Sequence, residues 1–520
     1  MSAPMERNES VEPTSSNVER SFVTEKSVRV RNDYGKTPSE KCKLHNPKMA
    51  ICRELTLATL NIAAKQSNIK MCCVEALASS GLSAIQWKKY FKDRIHVTAA
   101  VSDQLDRLKE NCEENELTTT DLLLDFSRTP GTPFTDQQDK QIQVCQCRAN
   151  VLLHMESFDF IYLDPHKNCS SFIDSVFFNL RHLGILCLVV PDISMFARSH
   201  HVVDRYYSTS VIKTDYIKEL AARVLIGQLA RSASKCNKGI EVLYTMSMDD
   251  FLLISVKSHR GPHLADKANQ RLQWLLHCRF CEERVFLPKQ KAPIENPYNL
   301  LPCKCNSEKP GKTAVELGPL WSGPIFNPIF LSKIKSSAQE CDLSAKTTVI
   351  LDTMMEEAGC IIATGENNSN LLDENLNNPN KESLDLKSEE VSDNLSDEKC
   401  DNKTSEVSDN QSESVHEKSA GEKRLHEDCP DQPAKRLKRA NVNNIEETDL
   451  WSHPFLPFYY NTHRWKVSHT KLPKVTTLVQ LLKSDGYKAT KTHFDPKSVR
   501  TDANLIQIKR TLDKHCSVKH

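Results

Sequence analysis

Apolar and polar positions change period repeatedly along the first half of the chain. From Met49 to Lys65 apolar residues (Ile51, Leu55, Ala58, Ile62) recur at helical spacing, and Ile69–Ala76 then reads as a buried strand. Helical patterns over Ser83–Phe91, Asp103–Cys112, Asn150–His154 and Ser171–Arg181 interleave with strand-like runs at Ile95–Ala100, Phe158–Leu163 and Gly184–Val190. Strand and helix in turn predict an open parallel α/β sheet. After a long helical pattern, Ile212–Ala230, two extended segments follow, Glu241–Met246 and Phe251–Lys257. Joined through Met248-Asp249-Asp250, they predict an antiparallel hairpin closing one sheet edge.

Elsewhere the periodicity lapses. Residues 1 to 41 are rich in Ser, Glu, Asn and Arg without apolar spacing, and a disordered arm is expected. None of the 34 aromatic residues falls between Phe330 and Trp451, so a long linker is expected there. Within it, residues 362–432 hold 19 acidic and 7 basic side chains, net −12, which predicts disorder. Two basic clusters, Lys423-Arg424 and Lys435-Arg436-Leu437-Lys438-Arg439, suit a bipartite nuclear import signal; the alternative is a stretch that balances the acidic run. Residues 451–520 carry 13 Lys/Arg against 4 Asp/Glu, net +9, interleaved with aromatics such as Trp451, Tyr459, Trp465 and Tyr487. That charge calls for a polyanionic partner, although the aromatics also suit the domain's own core.

Composition narrows the chemistry. With 14 glycines in 520 residues, phosphate-cradling Gly-rich loops are scarce, and no G-x-x-x-x-G-K-[ST] nucleotide loop occurs. The longest apolar run, around Gly184–Val190, falls short of the ~20 residues that span a bilayer, so no membrane association is expected. The 19 cysteines are an odd set scattered through apolar stretches, as in a reduced intracellular protein.

Three constellations remain. In an open α/β sheet, ligands sit beyond the C-terminal ends of the strands. At one such end, Glu75-Ala-Leu-Ala-Ser-Ser-Gly81-Leu suits a loop for an adenosine-type cofactor; it also suits an ordinary tight turn. At another, Phe158–Leu163 delivers Asp164-Pro165-His166. An exocyclic base amine is a poor nucleophile, and Asp164 with a Leu163 or Pro165 carbonyl supplies acceptors for its protons, while the His166 imidazole suits stacking on an extruded base. The competing reading makes Asp164 the cap, and Pro165 the first residue, of the next helix. Third, Cys278-x-x-Cys281 and Cys303-x-Cys305 are spaced for a tetrahedral Zn²⁺ that would fold a small lobe rather than activate water; four unconnected thiols are the alternative.

In this order the motifs resemble the tRNA guanine-N2 dimethyltransferases, over roughly residues 44–335 and 451–515. The likeness rests on Asn46-Pro47, Arg53-Glu54-Leu55-Thr56, Glu75–Leu82, Phe158–Pro165, Pro191-Asp192, Lys218–Gly227, the cysteine pairs and Gly318-Pro319-Leu320-Trp321. Thr492-His493-Phe494-Asp495-Pro496 and Arg500-Thr501-Asp502-Ala503 extend it. Tyr216–Arg223 and Asn237–Val242 resemble the family's divergent "methyltransferase 1-like" branch.

The resemblance implies a class I (Rossmann-like) methyltransferase fold binding S-adenosylmethionine, with Arg53, Glu75 and Gly81 at the cofactor and Asp164-Pro165 at the target amine. It also implies a zinc-bearing lobe and a small basic α+β C-terminal domain that hold tRNA near the junction of the D and anticodon arms. The expected division is a disordered arm (1–41), the methyltransferase domain (42–270), the zinc-ribbon-like lobe (271–335), the acidic linker with the import signal (336–447) and the basic domain (448–520). Residence would be nuclear, through an import receptor, with nucleolar and cytoplasmic residence left open.

The chain departs from the family pattern at several positions. Ala100-Val101 stands where Asn-Asp is usual, Arg148 where Asp is, His166-Lys167 where an aromatic and Gly are, Pro191 where Thr is, and Ser83 and Gln86 where arginines are. Ser102 and Asn150 are the expected partial substitutes for the lost ribose and adenine contacts. Two functions follow: an active methyltransferase, or a catalytically degraded tRNA-binding scaffold of the same fold.

Overall fold

A computed structural model describes residues 22–31, 46–124, 140–165, 168–288, 296–309, 311–360, 456–464 and 472–516. The chain enters through a hairpin, β1 (Phe22–Glu25) and β2 (Val28–Arg31). Eight further strands form the central sheet: β3 (Met71–Glu75), β4 (Ile95–Val101), β5 (Thr118–Asp121), β6 (Gln141–Gln146), β7 (Phe158–Leu163), β8 (Leu180–Val190), β9 (Lys238–Met248) and β10 (Phe251–Arg260). Their order is β5-β6-β4-β3-β7-β8-β10-β9. The pairs from β5 to β8 are parallel, whereas β10 runs antiparallel to both β8 and β9. The expected open sheet with an antiparallel edge hairpin is therefore present.

Burial explains why these runs are strands. Every residue of β3 and β4 is buried, as suits strands covered by helices on both faces, whereas the edge strand β5 (Thr-Thr-Thr-Asp) is half-exposed. Helix Ala50–Gln66 and helix Ile217–Lys235 are buried along most of their length against the sheet core. Two antiparallel groups follow. β11 (Leu272–Cys278) pairs with β12 (Arg284–Phe286) and β13 (Ala314–Trp321); β14 (Tyr460–Asn461), β15 (Ala489–Lys491) and β16 (Ser498–Thr501) pair around β16. The last group and helices Val475–Ser484 and Leu505–Cys516 enclose their own small core of Leu478, Leu482, Val499, Ile508 and Leu512.

Two expectations about order need correction. Residues 22–31, placed in the disordered arm, form a hairpin whose Val28 and Val30 are buried and whose backbone bonds Asn111 and Asn115. Residues 345–358, placed in the linker, form a helix that buries Leu351 and Met354, aliphatic side chains doing what absent aromatics do not. The acidic run 362–432 and both basic clusters lie outside the described residues. Among the described residues no helix is long and apolar enough to cross a membrane.

A buried ion network joins the C-terminal segment to the sheet domain. Arg500, fully buried, donates to Glu219 Oε2 (2.8 Å), Glu357 Oε2 (3.0 Å) and the Leu456 carbonyl (2.7 Å). Glu219 also accepts from Arg223 and the Phe458 N–H, and Glu357 from His493 and Thr492. Phe458, Tyr459 and Phe494 belong to the main core, so these aromatics pack rather than face a nucleic acid. Trp451 and Trp465 lie outside the described residues.

Candidate active site

The strand order reverses between β3 and β7: one half of the sheet runs outward from β3 through β4 and β6, the other from β7 through β8. A crevice beyond the strand tips at such a reversal is where α/β sheets bind ligands. Register fixes what stands there. Glu75, the last residue of β3, lies between Ala99 of β4 and Tyr162 of β7, and Asp164 follows two residues beyond Tyr162.

Asp164 is partly exposed, and the Tyr162 hydroxyl donates to its Oδ2 at 3.3 Å. The competing helix-cap reading fails. The next helix, Ser170–Asn179, starts six residues later, with Cys169 at its N-cap, while Asn168 accepts from the Ser170 N–H. Pro165 is buried beside Asp164, and His166 lies outside the described residues.

On the cofactor side, Glu75 is buried and accepts from the Ala84 N–H at 2.9 Å, so its carboxylate serves the start of helix Leu82–Phe91. Burial pushes this carboxyl up to about 7; Ala84 and the Ser83 hydroxyl pull against that, and the charge of Asp164 adds to it. The two acids therefore sense each other across the reversal point. Gly81 precedes that helix with φ +74°, a left-handed conformation, and an added Cβ would stand 3.2 Å from Leu108 Cγ. The positive φ favours glycine there, and the space beside Leu108 is tight.

Arg53 projects from helix Ala50–Gln66 and is gripped by Glu25 of the hairpin: Nε to Oε1 at 2.7 Å and Nη2 to Oε2 at 2.5 Å. Gln86 donates to the same Oε1 at 3.0 Å. Ser102 is exposed just past the tip of β4, its hydroxyl 3.3 Å from Asp103. Asn150 donates to the Ser171 carbonyl at 3.2 Å, while its own Oδ1 is buried with no protein partner. Arg148 is exposed and does not fill the crevice; Val101 is buried within β4. Glu75, Ser102 and Asp164 thus line one sheet edge, with Asn150 on the helix after β6. Tyr162 and Glu25 went unrecognised in the sequence; the signals were a hydroxyl two positions before the acid on its strand, and valine alternation around Glu25.

The four cysteines are brought together. The Sγ atoms of Cys278, Cys281, Cys303 and Cys305 lie within 4.8 Å of one another, at the end of β11 and before the short helix Cys305–Glu308. Tetrahedral zinc with Zn–S of about 2.3 Å needs sulfurs roughly 3.8 Å apart, so the set fits that ion. Burial raises the Cys278 thiol, but the Cys281 and Phe280 N–H groups and the neighbouring thiols hold it below its ordinary value. A cavity of about 470 Å³ opens between residues 212–215 and this lobe, lined by Lys213, Asp215, His277, Arg279 and Glu282; it touches none of the expected cofactor residues.

Residues 24–376 match the family model of N2,N2-dimethylguanosine tRNA methyltransferases. The chain is 35% identical over 482 residues to the tRNA (guanine(27)-N(2))-dimethyltransferase of Bos taurus, covering 92% of this chain and 60% of that protein. It is 33% identical to the human protein of the same name, covering 94% and 62%. A tRNA (guanine(26)-N(2))-dimethyltransferase of Methanobrevibacter smithii is 24% identical, over 61% of this chain and 75% of its own. The chain thus spans about three-fifths of the mammalian relatives. The Trm1 of Pyrococcus horikoshii, solved with S-adenosyl-L-methionine, superposes with a TM-score of 0.59 at 18% identity, covering 94% of this chain and 99% of that one; the Rossmann-like methyltransferase fold is shared. A match across well over half of the 520 residues makes this chain a member of the N2,N2-dimethylguanosine tRNA methyltransferase family.

Proposed function

We propose that the protein is an S-adenosylmethionine-dependent methyltransferase acting on the N2 amine of a tRNA guanosine. The observation that carries this reading is Asp164, standing at the strand-order reversal, oriented by Tyr162 and released from any helix-capping duty. The cofactor would bring a methyl group on a sulfonium, and Arg53, Glu75, Gly81, Ser102 and Asn150 are the residues that would hold it. Asp164 accepts one amine proton as a hydrogen bond, the Pro165 or Leu163 carbonyl accepts the other, and the nitrogen lone pair is thereby turned toward the methyl carbon. As the N–C bond forms, Asp164 stabilises the positive charge growing on nitrogen, and one proton leaves through it to solvent. His166 would stack on the base.

The mammalian relatives, at 33–35% identity, are named for guanine 27 and the archaeal one, at 24%, for guanine 26, which supports guanine 27 as the proposed target. Zinc on the four cysteines would hold the β11–β13 lobe, and the exposed cations of the C-terminal segment would hold tRNA. Lys423-Arg424 and Lys435–Arg439 would engage an import receptor, giving nuclear residence.

Methyl transfer to tRNA transcripts by wild type and Asp164→Asn is the test. The variant should lose about a hundredfold or more in kcat, within the range for a proton acceptor, with S-adenosylmethionine affinity unchanged. A wild type that binds tRNA but neither binds the cofactor nor transfers methyl would support the scaffold reading instead.

A further inference from the structure

Two thiols outside the four-cysteine cluster meet at the tip of β6. Cys145 Sγ lies 3.3 Å from Cys147 Sγ and donates to it. The cause is local: the Cys147 N–H donates to the Cys145 carbonyl at 3.1 Å, a three-residue turn that ends the strand. In an extended strand, side chains two apart share a face but stand roughly 6.5–7 Å apart; the turn shortens that separation. Cys145 is buried and Cys147 partly exposed. The hydrogen bond from Cys145 lowers the Cys147 thiol below its ordinary range, burial opposes this, and the Leu152 N–H helps. The same bond, with burial, pushes the Cys145 thiol up. The pair thus divides into an accessible sulfur whose thiolate is favoured and a buried one whose proton is held.

We propose that Cys145 and Cys147 form a redox-active dithiol that a small-molecule disulfide such as oxidised glutathione closes into a disulfide, and that closure weakens cofactor binding at the adjoining strand tip. The Cys147 thiolate attacks one sulfur of the reagent. The S–S bond breaks, one thiolate departs and takes a proton, and Cys147 is left as a mixed disulfide. Cys145 then gives up its proton and attacks Cys147 Sγ, expelling the second thiolate. Two protein thiols are oxidised to one disulfide, and the reagent is reduced to two thiols.

A disulfide needs its sulfurs about 2.05 Å apart, against 3.3 Å here, so closure pulls on the turn at Cys145–Cys147. That backbone is paired to the site: Ala100 faces Cys145 and Val101 faces Gln146, immediately before Ser102, and Asn150 follows three residues after Cys147. The coupling half of the proposal rests on the cofactor site described above; the dithiol half does not.

Trypsin cleaves after Lys140 and Arg148, releasing Gln141–Arg148 with these two cysteines and no other. The full-length protein is equilibrated in glutathione buffers of rising oxidised fraction, alkylated and digested. The peptide should become resistant to alkylation and lighter by two hydrogens, and should be restored by dithiothreitol. Cys145→Ser should trap glutathione on Cys147, and Cys147→Ser should show neither product. The dissociation constant for S-adenosylmethionine should rise at least tenfold on oxidation in wild type and stay constant in Cys147→Ser, which excludes damage at the Cys278 cluster. A peptide that stays fully alkylated in the most oxidising buffer overturns the dithiol. Closure without a change in affinity overturns the coupling. Absence of cofactor binding to the reduced wild type refutes the cofactor site and leaves the peptide result to judge the dithiol.

Discussion

Arg500→Met should unfasten the C-terminal segment. The wild-type guanidinium is fully buried and spends all three nitrogens, on Glu219, Glu357 and the Leu456 carbonyl, at 2.7 to 3.0 Å. Methionine fills much of the volume but removes the cation shared by two buried carboxylates, leaving Glu219 with Arg223 and the Phe458 N–H and Glu357 with His493 and Thr492. Removing one partner of a buried ionic group costs about 3–5 kcal/mol, a large share of the about 5–15 kcal/mol that holds a domain together. The pH dependence carries the sign. Burial alone would raise the Glu219 carboxyl, but Arg500 and Arg223 outweigh it and hold it below the usual range; His493 and Arg500 do the same for Glu357. Folded values below the unfolded one, about 4.3, mean that this stability is present above that pH and is lost as pH falls through the folded values. In Arg500→Met the missing cation lets burial raise both acids, so the gap between variant and wild type should narrow on acidification. Urea unfolding from pH 4 to 8, with hydrogen exchange of residues 456–516, reads both effects. A loss under about 1 kcal/mol at pH 7, or a gap that widens in acid, would refute the reasoning. So would a Glu357→Gln, Arg500→Met double variant as unstable as the sum of the singles, since neutralising one orphaned acid should restore part of the loss.

The other expectations concern metal and charge. Cys278→Ser with Cys303→Ser should abolish stoichiometric zinc by elemental analysis and loosen residues 272–321 in hydrogen exchange; full metal retention would exclude the four-cysteine site. Changing Lys491, Lys497, Lys509 and Arg510, all exposed, to Gln should weaken tRNA binding and flatten its salt dependence by roughly 0.7–0.9 in log–log slope for each phosphate no longer neutralised. An unchanged slope would move the tRNA surface elsewhere.

How far the sequence could be read depended on whether the signal was local. β7 was legible residue for residue because an apolar run ends in Asp-Pro, and the β9–β10 hairpin because two apolar strands flank Asp249-Asp250. The hairpin at Phe22–Arg31 escaped because its turn, Lys26-Ser27, takes positive φ without Gly or Asn to announce it. β5 and β6 escaped because Thr118–Asp121 is polar and half-exposed and Gln141–Gln146 carries three glutamines. Asp164 was visible as a candidate, yet only the position of helix Ser170–Asn179 removes the cap reading. Nothing local could reveal the ion network, since Glu219 and Arg500 are 281 positions apart.

Two of the departures from the family pattern, Ser83 and Gln86, fall on the side expected to hold the cofactor, and their hydrogen bonds are visible. Ser83 and Gln86 stand where arginines are usual, so two cations are gone beside two acids. Both acids keep protein partners without those cations: Ser83 and the Ala84 N–H donate to Glu75, whose carboxyl burial has already pushed up to about 7, and Gln86 joins Arg53 on Glu25. A positive potential has been exchanged for neutral hydrogen bonds, which at the proposed site would weaken attraction for the cofactor carboxylate. On the opposite side, where the proposed reaction would change charge, Asp164 and its Tyr162 partner are kept, while His166 replaces the usual aromatic. If the proposed reaction holds, the loss of cations at Ser83 and Gln86 would raise the KM for the cofactor and spare kcat; steady-state kinetics of Ser83→Arg and Gln86→Arg should then show a lower KM at unchanged kcat, and a changed kcat would refute this division.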